Sequence, residues 1–236
     1  RKKMEVSLAF QLSPTICNII DSNDKFPVRR ILCVGANYVA HAIEMGRDPS
    51  REPPFFFAKP TDAIVNADRV LDAIIPYPPN TSNFHYEMEM VVAIGKNAQN
   101  IEVEEAPNVI WGYGAGIDLT RRDLQKAAKD KGRPWELGKG FDNSAIISSL
   151  CPVSKIGHPK DSRIWLTVND TIKQDSNIDK LIWSVPEMIS ILSKTMILKP
   201  GDIIYTGTPE GVGPISKGDK ICGGVDGIGE ISITIS

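Results

Sequence analysis

The sequence predicts a β-rich α+β domain, and three observations carry that prediction. Seventeen prolines and nineteen glycines punctuate 236 residues, so regular elements are interrupted often. The apolar runs between them are short and rich in Val and Ile, which suit a pleated, half-buried strand. Only three segments have helical composition and spacing. A chain of this length supports one substantial core, and neither an internal repeat nor a low-complexity linker divides it.

Taken in order, the first predicted strand is Arg30–Gly35 (RILCVG). A short helix over 37–45 follows, with Asn37 as N-cap and Gly46 as its stop. Residues 89–95 (EMVVAIG) read as the next strand. A second helix begins near Asp118 or Thr120 and continues through RRDLQKAAKDK, rich in helix formers, until Gly132 and Pro134 end it. Residues 164–168 (IWLTV) are another strand. The third helix has the clearest signature: Ser184 and Glu187 stand at capping-box spacing around Pro186, and Met188, Ile191, Leu192, Thr195 and Met196 recur as a buried helical stripe. Lys199-Pro200-Gly201-Asp202 then places Pro and Gly at the centre of a type II turn. That turn leads into the strand 202–206 (DIIYT), and 230–235 (EISITI) is the last.

Composition narrows the function. Lys+Arg 27 against Asp+Glu 29 gives a formal charge of -2, without the cationic excess that steers a protein onto nucleic acid or a membrane surface. Three His and four Cys are too few for His-rich zinc sites, zinc ribbons or a disulfide scaffold. Cys17, Cys33, Cys151 and Cys222 lie far apart and read as reduced packing residues. No window reaches the roughly 18–20 apolar residues that span a bilayer. Arg1-Lys2-Lys3 precedes a stretch broken by Glu5 and Gln11, which is no secretory signal. The expected compartment is the cytoplasm, or the mitochondrion if a targeting peptide has been removed. The G-x-S-x-G, H-E-x-x-H, Walker and strand-placed G-x-G-x-x-G signatures are all absent.

Glu87-Met88-Glu89-Met90 is the most unusual segment. On a strand the two acids share one face while the methionines face the core. The pair is either a solvated edge or a site that holds a proton or cation between two repelling carboxylates. Asp118, after the glycine-rich residues 111–116, adds a third acid, and three carboxylates suit a hard cation such as Mg2+, Mn2+ or Ca2+. Arg122 and Gln125 lie at +4 and +7 from Asp118, on one helical face, as a substrate-facing pair or a plain solvent stripe. His41 and Glu44 lie three apart, where a carboxylate orients an imidazole, though a surface pair has the same spacing. Lys139 sits between Gly138 and Gly140 in a flexible setting. Thr208 lies in the glycine loop 206–213, able to bind an anionic group or to form a tight turn. His85, two residues before the acids, supports them or is simply structural; His158 reads as a surface loop residue.

Six segments in order, CVGANYVAHAIEMG, FFFAKP, HYEMEMVVAIG, GYGAGIDLTRRDLQ, GKGFDN and LKPGDIIYTGTPEGVG, resemble the fumarylacetoacetate hydrolase family, in its acylpyruvase and fumarylpyruvate hydrolase branch. The match starts near Arg30, dividing the chain into residues 1–29, a segment packing on the core, and 30–236, the catalytic domain. The resemblance implies a mixed β-roll with a few peripheral helices, assembled as a homodimer. It places Glu87, Glu89 and Asp118 on the metal ligands, His41 and Glu44 on the water-activating dyad, and Lys139 on the catalytic lysine. Arg122, Gln125, Thr208 and Lys59 fall on positions that hold substrate or water. It implies a divalent cation, Mg2+ foremost, and a small 2-oxo or diketo acid substrate. The stretch EMGRDPSREPPFFF resembles the fumarylpyruvate branch, so Arg47 and Arg51 are expected to pair with the second carboxylate of a dicarboxylic substrate. The leading expectation is therefore hydrolysis of fumarylpyruvate to fumarate and pyruvate. Decarboxylation of oxaloacetate or a related β-keto acid is the alternative on the same metal, and a non-catalytic binding protein retaining the fold is the alternative of another class.

Overall fold

The computed structural model describes residues 8–46 and 52–236. A mixed sheet curls into a half-barrel, in the spatial order Phe55–Lys59, Arg30–Gly35, Asp202–Tyr205, Met88–Ile94, Ile110–Asp118, Ala145–Ile147 and Ile64–Asn66. A second sheet, in the order Thr171–Asn177, Arg163–Val168, Lys220–Val225, Gly229–Ile235 and Ala73–Ile75, packs on it. Most pairings are antiparallel. Arg30–Gly35 runs parallel to Asp202–Tyr205, and Ile64–Asn66 to Ala145–Ile147. The architecture is the β-rich α+β class that the short Val- and Ile-rich runs predict.

The strand Met88–Ile94 is buried along its whole length and divides the core by simple alternation. Met88, Met90, Val92 and Ile94 enter the larger apolar cluster, with Ile164, Leu166, Ile221 and Ile231 of the second sheet. Val91 and Ala93 project the other way, into a smaller cluster with Cys33, Ile203 and Tyr205. Glu89 shares that second face, so an acid faces inward at the end of an apolar row.

Five α-helical pieces decorate the sheets among the described residues: α1 (Val39–Glu44), α2 (Arg122–Asp130), α3 (Glu136–Lys139), α4 (Val153–Ile156) and α5 (Val185–Thr195). Helix α5 keeps the predicted capping box, but its buried face runs through Val185, Met188, Ile189 and Leu192, with Ile191 and Met196 half-buried and Thr195 exposed. The Glu187 carboxylate accepts from the Ser184 backbone N–H at 2.9 Å and from the Ser184 hydroxyl at 2.7 Å, and Met188 and Leu192 are buried. The predicted turn closes with the Asp202 N–H donating to the Lys199 carbonyl at 3.0 Å.

Three local expectations are corrected. Helix α1 is capped at Tyr38, not Asn37; Asn37 is fully buried and its amide bonds the Trp183 and Thr206 carbonyls and the Trp183 N–H, tying two distant loops together. Helix α2 starts at Arg122, because Asp118 ends a long strand and Thr120–Arg121 pair with His85 and Phe84. Asp118 therefore does not share a helical face with Arg122 and Gln125. Lys139 ends the one-turn helix α3 and is buried, not held on a flexible loop.

Toward the N-terminus, Ile16–Asn18 pairs with Lys25–Pro27, and Cys17 and Phe26 are buried in the smaller cluster. Cys17, Cys33 and Cys151 are free and buried, and Cys222 is free and half-buried. No helix among the described residues is long and apolar enough to cross a membrane.

Candidate active site

Strand register alone brings the three acids together. Met88 pairs with Ile117 and Glu89 with Gly116, and the Asp118 N–H donates to the Glu87 carbonyl at 2.9 Å. Glu87 and Asp118 thus stand opposite each other, where side chains on one face are in contact range. Glu89 lies two residues further along the same face. The result is three buried carboxylates, each offering an oxygen within 4.8 Å of the others. The solvated-edge reading of Glu87 and Glu89 is thereby excluded.

Three cations surround this triad. Lys139 Nζ donates at 2.8 Å to Glu87 Oε2, to Asp118 Oδ2 and to the Thr120 hydroxyl. Arg122 Nη2 meets Glu87 Oε1 at 2.5 Å, and its Nη1 donates to Gln125 Oε1 at 2.6 Å. Lys59 Nζ lies 2.8 Å from Asp118 Oδ1 and donates to the Leu119 and Lys139 carbonyls. Lys59 does not line the cavity, so its expected contact with substrate is corrected: buried beneath the site, it holds Asp118 and the end of α3.

The electrostatics follow from this arrangement. Burial alone would raise the Glu87 carboxyl, but Lys139 and Arg122 override it and hold Glu87 well below the usual carboxylate range. Burial, with Asp118 and Glu87 as like charges, pushes Glu89 well above that range, although the Gly207 N–H donates to its Oε2 at 2.7 Å. Burial opposes the charge on Lys139, but Asp118 and Glu87 more than restore it. Asp118 Oδ1 is completely buried and has no aligned hydrogen-bond donor, its contact with Lys59 being ionic only. An orphaned oxygen beside a carboxyl that resists ionisation is the environment a cation relieves. The all-oxygen donor set fits a hard divalent ion, with Glu87, Glu89 and Asp118 as its holders.

The dyad lies across the same cavity. His41 Nδ1 is 3.1 Å from Glu44 Oε2, and the Gly211 N–H donates to both Glu44 oxygens at 3.1 and 3.3 Å. That hydrogen bond to His41, followed by the Gly211 bond, holds Glu44 below its ordinary value even though burial opposes it. With Nδ1 engaged, the proton-accepting nitrogen of His41 is Nε2. His85 also lines the cavity; its Nε2 meets Asn83 Oδ1 at 2.8 Å, and burial and the Arg122 charge push it down to about 4.

The cavity has a volume of about 460 Å³. His41, Glu44, Glu87, Glu89, Arg122, Gln125, Lys139 and Thr208 all line it, together with an aromatic wall of Phe55, Phe57 and Trp135. Arg47 and Arg51 lie outside the described residues. His158 is exposed, with the Tyr113 hydroxyl 2.8 Å from its Nδ1. The sequence reading missed Gln174, which is buried in the middle of the mostly exposed strand Thr171–Asn177. Its Nε2 donates to the Thr208 hydroxyl and its Oε1 accepts from the Met88 N–H, locking the Thr208 loop to the acid-bearing strand.

The chain is similar to proteins of known family and structure. The family model for the fumarylacetoacetate (FAA) hydrolase C-terminal domain matches residues 30–236. A fumarylpyruvate hydrolase from a Ralstonia species is 49% identical over 81% of this chain and 98% of its own. A mitochondrial oxaloacetate tautomerase of Oryza sativa subsp. japonica is 39% identical over 87% of this chain and 90% of its own. The crystal structure of fumarylpyruvate hydrolase from Pseudomonas aeruginosa, in complex with Mn2+ and pyruvate, superposes with a TM-score of 0.95 at 50% identity, covering 97% of this chain and 99% of that one.

Proposed function

The chain belongs to the fumarylacetoacetate hydrolase family, and on that premise we propose that it is a divalent-metal-dependent hydrolase acting on a C–C bond of acylpyruvates, converting fumarylpyruvate and water to fumarate and pyruvate. One observation carries the substrate class. Three cationic side chains, Lys59, Lys139 and Arg122, already contact Glu87 and Asp118 and equal in number the three acids of the triad, so a divalent ion leaves the site with a formal surplus of two positive charges. That surplus matches a substrate bearing two carboxylates better than a neutral one.

A cation held by Glu87, Glu89 and Asp118 supplies Lewis-acid chemistry to substrate oxygens. The remaining work belongs to the protein. His41 Nε2 takes a proton from water, while Glu44, pinned by the Gly211 N–H, orients the ring and stabilises its charged form. The hydroxide adds to the distal carbonyl of the acylpyruvate. The Gln125 amide N–H donates to the oxyanion, an effect of roughly 3–4 kcal/mol for a well-placed donor, and the Lys139 ammonium, bonded to Glu87, Asp118 and Thr120, adds its positive charge. The C–C bond then breaks, its electron pair going to the methylene carbon of the departing pyruvate, which is finally protonated. Arg122 holds Glu87 and Gln125 in place, and Thr208, bonded to Gln174, lines the same cavity.

Mg2+ as the native ion and a homodimeric assembly belong to this proposal. The oxygen-only donor set supports the former. Large exposed apolar residues around the edge strand Ala73–Ile75, with Val70 96%, Leu71 60% and Ile74 70% exposed, support the latter. The relation to oxaloacetate tautomerase makes oxaloacetate the competing substrate, at lower identity. The deciding experiment offers a panel of acylpyruvates and oxaloacetate and follows loss of diketone-enol absorbance and release of pyruvate. Fumarylpyruvate should be the preferred substrate, EDTA should abolish turnover, and Mg2+ or Mn2+ should restore it. His41→Ala should lower kcat by about 10²–10⁴-fold. Hydrolysis that survives complete metal removal would defeat the mechanism.

A further inference from the structure

From the charges around the cavity we infer that Lys129 is the specificity residue that reads the far carboxylate of the substrate, making this an enzyme for extended dicarboxylic acylpyruvates. The inference rests on the acylpyruvate reading above. Four cationic side chains of the Lys and Arg type line the cavity. Arg122 and Lys139 are committed to Glu87 and Asp118, and Lys126 Nζ is paired with Asp130 at 2.6 Å. Lys129, exposed at the mouth, forms no ion pair with any carboxylate among the described residues. A lining cation without an internal partner is available to an anion from outside.

Its position fits. Arg122, Gln125, Lys126 and Lys129 lie at 0, +3, +4 and +7 on α2 and so share one face, which runs from the buried acids to the mouth. Seven residues of helix advance roughly 10 Å. The end carbons of fumarylpyruvate lie roughly 8 Å apart when extended, given ordinary C–C bonds. A substrate with its pyruvate end at the acids thus places its other carboxylate within reach of the Lys129 ammonium. The same cavity is lined by Phe57 and Phe55, with ring centroids 5.7 and 5.4 Å from that of Trp135. The Phe57 and Phe55 rings are tilted 54° and 88° to the Trp135 ring, an angled apolar wall against which the carbon chain between the two carboxylates can pack. The resemblance assigns the same part to Arg47 and Arg51, which lie outside the described residues, so both are tested alongside Lys129.

The test compares kcat/KM for fumarylpyruvate with that for acetylpyruvate, which ends in a methyl group, using the full chain with Mn2+. Lys129→Met should lower the fumarylpyruvate-to-acetylpyruvate ratio about two- to fivefold, mainly through KM, as expected for one exposed charge pair. Lys129→Arg should restore most of it. An unaltered ratio in Lys129→Met, or a ratio that changes only in Arg47→Ala or Arg51→Ala, overturns the assignment. Titration calorimetry with 2-oxoheptanedioate and 2-oxoheptanoate, equal in length and not cleavable as acylpyruvates, separates this inference from the reaction itself. A wild type that hydrolyses no acylpyruvate refutes the hydrolase reading. Independently, a preference for the diacid that Lys129→Met leaves intact refutes the role of Lys129.

Discussion

At the scale of single residues, the site holds opposing demands in one small volume. Glu87, Glu89 and Asp118 lie within 4.8 Å of one another and are buried, so without a cation each adds repulsion that folding must overcome. Glu89 is the least compensated. Lys139 and Arg122 touch Glu87, and Lys139 and Lys59 touch Asp118, whereas the contact found for Glu89 is the Gly207 N–H. Glu89→Gln keeps an oxygen for that bond and removes the charge. The metal-free variant should therefore be more stable than the metal-free wild type, by on the order of 1–2 kcal/mol, a function–stability trade-off. It should also lose the thermal shift on adding Mn2+, which for the wild type amounts to about 3 kcal/mol when metal exceeds Kd a hundredfold. Differential scanning calorimetry in EDTA and in Mn2+ tests both halves; a variant that is less stable in EDTA contradicts the argument.

At the scale of elements, one loop serves both halves of the chemistry. Residues 206–213 leave the central strand, and the Gly207 N–H reaches Glu89 while the Gly211 N–H reaches Glu44. Both glycines have left-handed backbone, φ +101 and +91, and a Cβ on Gly207 would come within 2.7 Å of Asn37 Cβ, one on Gly211 within 2.0 Å of the Lys173 carbonyl oxygen. Gly207→Ala and Gly211→Ala should each cost about 1–3 kcal/mol from backbone strain. Their functional effects should differ: Gly207→Ala weakens Mn2+ affinity, and Gly211→Ala lowers kcat while Mn2+ still binds. Equal loss of metal binding in both would mean that the loop acts only as a scaffold. The sequence shows such a loop but not its partners. The acid pair was legible because strand alternation is local, and the dyad because a three-residue step on a helix is local. Gln174, Lys129 and the Lys59 clamp were not, since burial in a polar strand, a vacant ion-pair position and a buried lysine are set by distant residues. Asp118 was found for an incomplete reason: its place comes from cross-strand register, not from the helix that follows.

At the scale of the whole molecule, a fourth buried acid joins distant parts of the chain without serving the site. The Asp202 carboxylate has no exposure and accepts from Arg29 Nη1 at 2.9 Å, from Arg30 Nη2 at 2.8 Å and from the Lys199 N–H at 2.9 Å. It fastens the parallel pair Arg30–Gly35 and Asp202–Tyr205, on which the central strands are laid. Burial would raise this carboxyl, but the hydrogen bonds from Arg30, Lys199 and Arg29 hold it below its ordinary value. The sign follows: a depressed folded-state pKa contributes stability that is complete above the unfolded value, about 3.9, and is lost as pH falls through the folded value. Asp202→Asn should therefore destabilise the protein at pH 7 by about 1.5–3 kcal/mol, the worth of hydrogen bonds to a charged group with partly exposed partners. The difference from wild type should shrink as pH falls below about 4. Urea midpoints at pH 7, 5 and 3 measure it. A gap that stays constant down to pH 3 would show that Asp202 acts through packing alone. Because Asp202 lies outside the cavity, its variant should keep the Mn2+ thermal shift, separating the stability of the sheet from that of the site.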